Sequence, residues 1–103
     1  MSTVQEIRER VCVEVVREFA EISGKFKPFN SAHEGYGVLA EEVEELWEEI
    51  RKKRSMRDKG RMWNEAKQVA AVAMRFMVDL CTEEPPVDSI PQCAGETIPE
   101  RRI

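Results

Sequence analysis

The stretch from residue 60 to 81 constrains the fold more than any other part of the chain. On a helix of 3.6 residues per turn, Met62, Ala66, Val69, Val72, Ala73, Phe76, Met77 and Leu80 share one side. Ala70, Ala71, Met74 and Val78 continue the apolar surface around the rest. A helix that is apolar almost all round has to be covered on more than one side. Two further amphipathic segments can supply that cover. Residues 3–23 place Val4, Ile7, Val11, Val15, Phe19 and Ile22 at helical spacing. Ser23-Gly24 is expected to end this helix, with Gly24 in the left-handed conformation of a C-cap. "KFKPFN" then reads as a loop, because Pro28 disfavours helix at Lys27. Ser31 and Glu34 have the spacing of a capping box. They open a second helix that carries Tyr36, Leu39, Val43, Leu46, Trp47 and Ile50 on one face and fades near Arg54. Asp58 is the expected N-cap of the third.

The chain therefore reads as all-α: a small helical bundle of three main helices over residues 1–82. Residues 83–103 hold four of the five prolines and no helical period, and read as a Pro-containing tail or extended arm. Three helices of this length cannot cover the third completely. An ordered part of about 80 residues is also marginal for a lone core. Completion by homo-oligomerisation is the expectation.

The net charge of −4 gives no global attraction to nucleic acid, so no nucleic-acid partner is expected. The short basic run Arg51-Lys52-Lys53-Arg54 reads as the last turn of the second helix, where cations suit the dipole. Three cysteines, Cys12, Cys81 and Cys93, do not make a disulfide framework. The opening "MSTVQEIRER" lacks an apolar signal core, and no apolar run approaches the ~20 residues that span a bilayer. A cytoplasmic protein without membrane contact is the expectation.

The chemistry-bearing stretch is "VLAEEVEELWEEI", in which six of the nine residues from Glu41 to Glu49 are glutamate. Like charges at i and i+4, as in Glu41–Glu45 and Glu45–Glu49, cost roughly 0.2–0.5 kcal/mol each. Glu41, Glu44 and Glu48 point away from the apolar stripe and read as solvated; Glu48 and Glu49 can pair with Lys52 and Lys53. Glu42 and Glu45 lie at the stripe's edge, one turn apart. Glu65 projects inside the apolar arc of the third helix, with Gln68 one turn on. A carboxylate in an apolar arc is costly unless paired or metal-bound. Antiparallel packing of the second and third helices brings Glu42, Glu45, Glu65 and Gln68 toward one point. Three carboxylates and an amide carbonyl are ligands that a hard divalent cation such as Mg²⁺ uses. A pairing of Glu65 with an arginine accounts for it equally simply. His33, the only histidine, opens the second helix, which excludes the Glu-x-x-His pattern of di-iron bundles.

At these residues the sequence resembles the MazG-like all-α nucleoside triphosphate pyrophosphohydrolases. The family's Glu-Glu-x-x-Glu matches Glu41-Glu42-Val43-Glu44-Glu45. After nineteen residues, its Glu-x-x-Asp matches Glu65-Ala66-Lys67-Gln68, with Gln68 in the aspartate's place. The likeness covers roughly residues 30–80. It implies an Mg²⁺-dependent enzyme, with Mn²⁺ as a substitute, that hydrolyses an NTP or dNTP to the monophosphate and pyrophosphate, as a house-cleaning activity on the nucleotide pool. It also implies homo-oligomers with sites near the interfaces. Carried over by position, Glu42, Glu45, Glu65 and Gln68 are the metal ligands, and Glu41 or Glu45 orients the attacking water. Candidate substrate contacts are His33 and Trp47 for the base, and Lys67 and Arg75 for phosphate. Arg75 stands where the family often has asparagine; its other reading is an ion pair with Asp79. Trp47 reads more readily as core packing. Two other functions stay open: a non-catalytic relative that binds a nucleotide or protein partner, because Gln68 brings no charge, and a plain helical interaction module.

Overall fold

The computed structural model describes residues 1–82, and the expected tail, with Cys93, lies outside them. Three helices form the described chain: α1 (Val4–Lys25), α2 (Ala32–Ile50) and α3 (Lys59–Leu80), with a 3-10 turn at Arg54–Met56. No strand occurs among the described residues. None of the described helices is long and apolar enough to cross a membrane.

The helix starts follow from their caps. Thr3 and Glu6 make a complete capping box on α1: Thr3 Oγ1 accepts from the Glu6 N–H at 3.1 Å and Glu6 Oε1 accepts from the Thr3 N–H at 2.8 Å. At α2, Ser31 Oγ accepts from the Glu34 N–H at 3.1 Å as expected. The Glu34 carboxylate, however, takes the Asn30 N–H at 2.7 Å, which ties down the incoming loop. Asp58 caps α3 by accepting from the Arg61 N–H at 3.0 Å.

The helix ends differ from expectation. α1 runs through Gly24 to Lys25, and the extended Phe26 ends it, so Gly24 is no left-handed cap. α2 stops at Ile50 and has no basic residue in its last turn. The run from Lys52 to Arg54 therefore belongs to the α2–α3 connection rather than to a helix dipole. The acids of the last turn pair one residue sooner than expected, Glu48 with Arg51 at 3.4 Å and Glu49 with Lys52 at 2.9 Å.

α3 lies between the other two helices, and α1 and α2 do not pack on each other. This arrangement answers the apolar girth of α3: one flank takes α1, the other α2. Gly35 lies near Phe76 and Leu80, while Glu45 lies near Glu65, so α2 runs antiparallel to α3. α1 runs parallel to it, with Arg10 near Trp63 and Glu14 near Lys67. Gly35 is buried, and a Cβ there would come within 2.6 Å of the Phe76 ring; the missing side chain lets the two helices close at this end.

Among the described residues the buried set is small: Phe29, Gly35, Ala71, Val72 and Arg75. α1 buries no residue, and Val4, Ile7, Val11, Val13 and Val16 stay exposed. The inward stripe of α2 runs through Gly35, Val38, Leu39, Glu42, Leu46, Glu49 and Ile50. That is a rotation of roughly 70° from the face expected from its large apolar residues. Tyr36, Val43 and Trp47 are exposed in consequence. Trp47, at 50% exposure, does not pack in the core.

Candidate metal centre

The rotation of α2 turns Glu42 toward α3. Glu42 is half-buried, and Glu45, three residues on, is exposed beside it. Glu65 meets them from α3, where it sits among apolar neighbours of its own helix. One carboxylate oxygen from each of Glu42, Glu45 and Glu65 lies within 4.8 Å of the others. The three metal-ligand candidates with a negative charge are thus brought together.

The electrostatics match this crowding. Burial first, then the charges of Glu45, Glu65, Glu41 and Glu18, raise the Glu42 carboxyl above its ordinary value. Burial also raises Glu65, aided by the charge of Glu45, a hydrogen bond with the Glu45 carboxyl and the charge of Glu49. Glu65 Oε2 is buried and has no hydrogen-bond partner in the protein. A buried acceptor without a donor costs about 1–3 kcal/mol, and more when charged. An oxygen-only donor set with one lone acceptor fits a hard divalent cation.

Gln68 lies one turn beyond Glu65 on α3. With Glu42 it lines an open cleft of about 470 Å³, bounded by the end of α1, the 26–30 loop, α2 and α3. Glu42 thus belongs to both the acid cluster and the cleft. Phe26, Phe29, Asn30, Glu34 and Val38 complete much of the cleft wall.

The loop is held in place by Arg75 and Asp79. Arg75 is buried, and its Nη2 donates to the Lys27 carbonyl at 2.6 Å. Its guanidinium carbon lies 3.9 Å from the centre of the Phe29 ring. Arg75 Nε stands 3.6 Å from Asp79 Oδ2, which also accepts the Phe29 N–H at 3.0 Å. The ion pair weighed for Arg75 is present, and its guanidinium is engaged in fastening the loop.

The remaining candidates stand elsewhere. Glu41 is exposed and outside the three-oxygen cluster, although its charge reaches Glu42. Lys67 is two residues from Glu65, so it points to the far side of α3. Its Nζ pairs with Glu14 of α1 at 3.5 Å, away from the three-oxygen cluster. His33 and Trp47 are exposed on α2, and neither lines the cleft. Sequence reasoning missed Phe26, Phe29 and Asn30; two aromatics within "KFKPFN", a segment read only as a loop, were the available signal.

No protein-family model, no curated protein and no solved structure matches this chain.

Proposed function

We propose that this chain is a Mg²⁺-dependent nucleotide pyrophosphohydrolase that converts an NTP or dNTP and water to the monophosphate and pyrophosphate. The observation that carries the reading is the convergence of Glu42, Glu45 and Glu65, with one buried oxygen of Glu65 unpartnered. Those three residues hold the cation, with Gln68 contributing an amide carbonyl from the neighbouring turn. When bound, Mg²⁺ reverses the negative sign of the site and neutralises charge on the phosphates. Glu45 is the exposed member of the three and orients the water that attacks the α-phosphorus. The bond from that phosphorus to the bridging oxygen breaks, and pyrophosphate leaves. Glu41 shapes the local charge from outside the cluster.

The chain works as a homodimer or homotetramer in this reading. The apolar residues exposed on α1, together with Tyr36, Val43 and Trp47 on α2, support it.

The test is a panel of NTPs and dNTPs incubated with Mg²⁺ or Mn²⁺, with pyrophosphate as the readout. Release from at least one substrate, abolished by Glu42→Gln, is the expected result. No release from any substrate with either metal overturns the reading. A second reading, a non-catalytic nucleotide-binding relative, draws on Gln68, which supplies no charge. Gln68→Asp separates the two: the enzyme reading expects activity that is unchanged or higher.

A further inference from the structure

We propose that the cleft beside the three glutamates binds the nucleobase, with Phe26 as the ring on which it stacks and Asn30 as the group that meets its edge. This rests on the nucleotide reading above and assigns the part of the substrate that the acid cluster does not touch.

The cleft, at about 470 Å³, has room for a planar heterocycle, and it adjoins the cluster directly through Glu42. Its walls are mainly apolar, with Ile22, Phe29, Val38 and Val72 among them. The Asn30 amide offers both a donor and an acceptor. Small-molecule sites have this make-up: apolar walls and a few polar groups. Phe26 stands on the rim and is 59% exposed. An aromatic ring left in water at the mouth of a cleft is a ready stacking platform, because every base has a flat π-face.

The charge pattern selects the neutral end of a nucleotide. Arg75 lines the cleft, but Asp79 balances its charge and Lys27 and Phe29 engage its guanidinium. Glu34 and Glu42 together outweigh the one remaining cation of the lining, Lys27, so phosphate is disfavoured there and an uncharged ring is not. The phosphates then extend toward Glu45 and Glu65, where the cation is required.

Free nucleosides test this, because they carry no phosphate and need no metal. Saturation-transfer NMR with adenosine, guanosine, cytidine, uridine and thymidine, without Mg²⁺, should show transfer to the base protons of at least one. Phe26→Ala should weaken that nucleoside's binding about tenfold, within the range for removing a stacked ring. Val38→Phe, which fills the cleft, should abolish it. Neither residue is fully buried, and circular dichroism checks that both variants keep their helices. Asn30→Ala, at an exposed position, replaces either variant that unfolds and should weaken binding severalfold. No transfer to any nucleoside overturns the proposal, as does binding that stays within twofold in the folded variants. Nucleoside binding without pyrophosphate release removes the enzyme reading and leaves the base site standing. Pyrophosphate release without nucleoside binding does the reverse.

Discussion

Replacing Glu65 by glutamine should stabilise the metal-free protein while destroying its response to metal. Glu65 shares a cluster in which three carboxylate oxygens lie within 4.8 Å of one another. Two unit charges at that distance repel by about 0.9 kcal/mol in bulk water and about 3.5 kcal/mol at an effective dielectric of 20. Glu45 is exposed and Glu65 half-buried, so about 1–2 kcal/mol per pair is appropriate. Two pairs end on Glu65, and salt screening trims their repulsion. A net gain of about 2 kcal/mol remains for Glu65→Gln near neutral pH, or a rise in Tm of roughly 10 °C for a domain of this size. Glutamine keeps the volume and can donate to Glu45. Mg²⁺ should act in the opposite order. At a hundredfold excess over Kd it stabilises the wild type by about 2.7 kcal/mol through mass action and leaves the variant unmoved. Differential scanning fluorimetry with EDTA and across a Mg²⁺ series reads both effects. A variant no more stable than wild type in EDTA, or an equal Mg²⁺ shift in both proteins, would refute the argument.

Three further outcomes follow from other parts of the structure. The folded-state carboxyls of Glu42 and Glu65 are raised, so the native chain holds their protons to higher pH than the unfolded chain does. Metal-free stability from this pair is therefore greatest below the ordinary carboxylate value of 4.5 and is lost as pH rises through the raised values. Urea titrations from pH 4 to pH 8, compared with Glu65→Gln, should show a shallower fall in the variant. Gly35→Ala and Gly37→Ala form a matched pair on α2. Gly37 has open space where a Cβ would go, so alanine there should stabilise by about 0.5–1 kcal/mol. At Gly35 the Phe76 ring lies 2.6 Å from the added Cβ, and overpacking of about 1–3 kcal/mol offsets or exceeds the same gain. Equal shifts in urea midpoint for the two variants would contradict the close approach. Arg75→Met leaves the nearly buried Asp79 carboxylate without its cation and should cost about 3 kcal/mol. Faster hydrogen exchange at the Phe29 amide, which donates to Asp79, is the accompanying signature.

The helical plan was legible because it rests on local rules. The girth of apolar residues around α3 required two neighbours, and α1 and α2 lie on two flanks of it. Asp58 capped α3 because its position before the periodic run left it little other use. The meeting of Glu42, Glu45 and Glu65 was also readable, since their spacings put them on facing sides of two antiparallel helices. The rotation of α2 was not. Large apolar residues pointed to Val43 and Trp47 as buried, whereas the close approach at Gly35 sets which face turns inward. A residue with no side chain contributes nothing to a hydrophobic pattern, yet it determined this contact. The cleft was hidden for a related reason: it depends on where a short loop crosses α3. The bonds that fix that crossing join residues 27 and 29 to residues 75 and 79, far apart in the chain.

α3 carries Glu65 at the acid cluster and Arg75 in the lining of the cleft. Ten residues of helix hold these positions about 15 Å apart along one axis. Inserting a single residue between them would turn one relative to the other by about 100°, so α3 admits changes of composition here but not of length. The α2–α3 connection ahead of the Asp58 cap is under no such restriction, because its residues line neither the acid cluster nor the cleft. Natural variation in length should therefore collect between residues 51 and 58 and be absent between 65 and 75, where the helix acts as a fixed ruler for whatever lies along it.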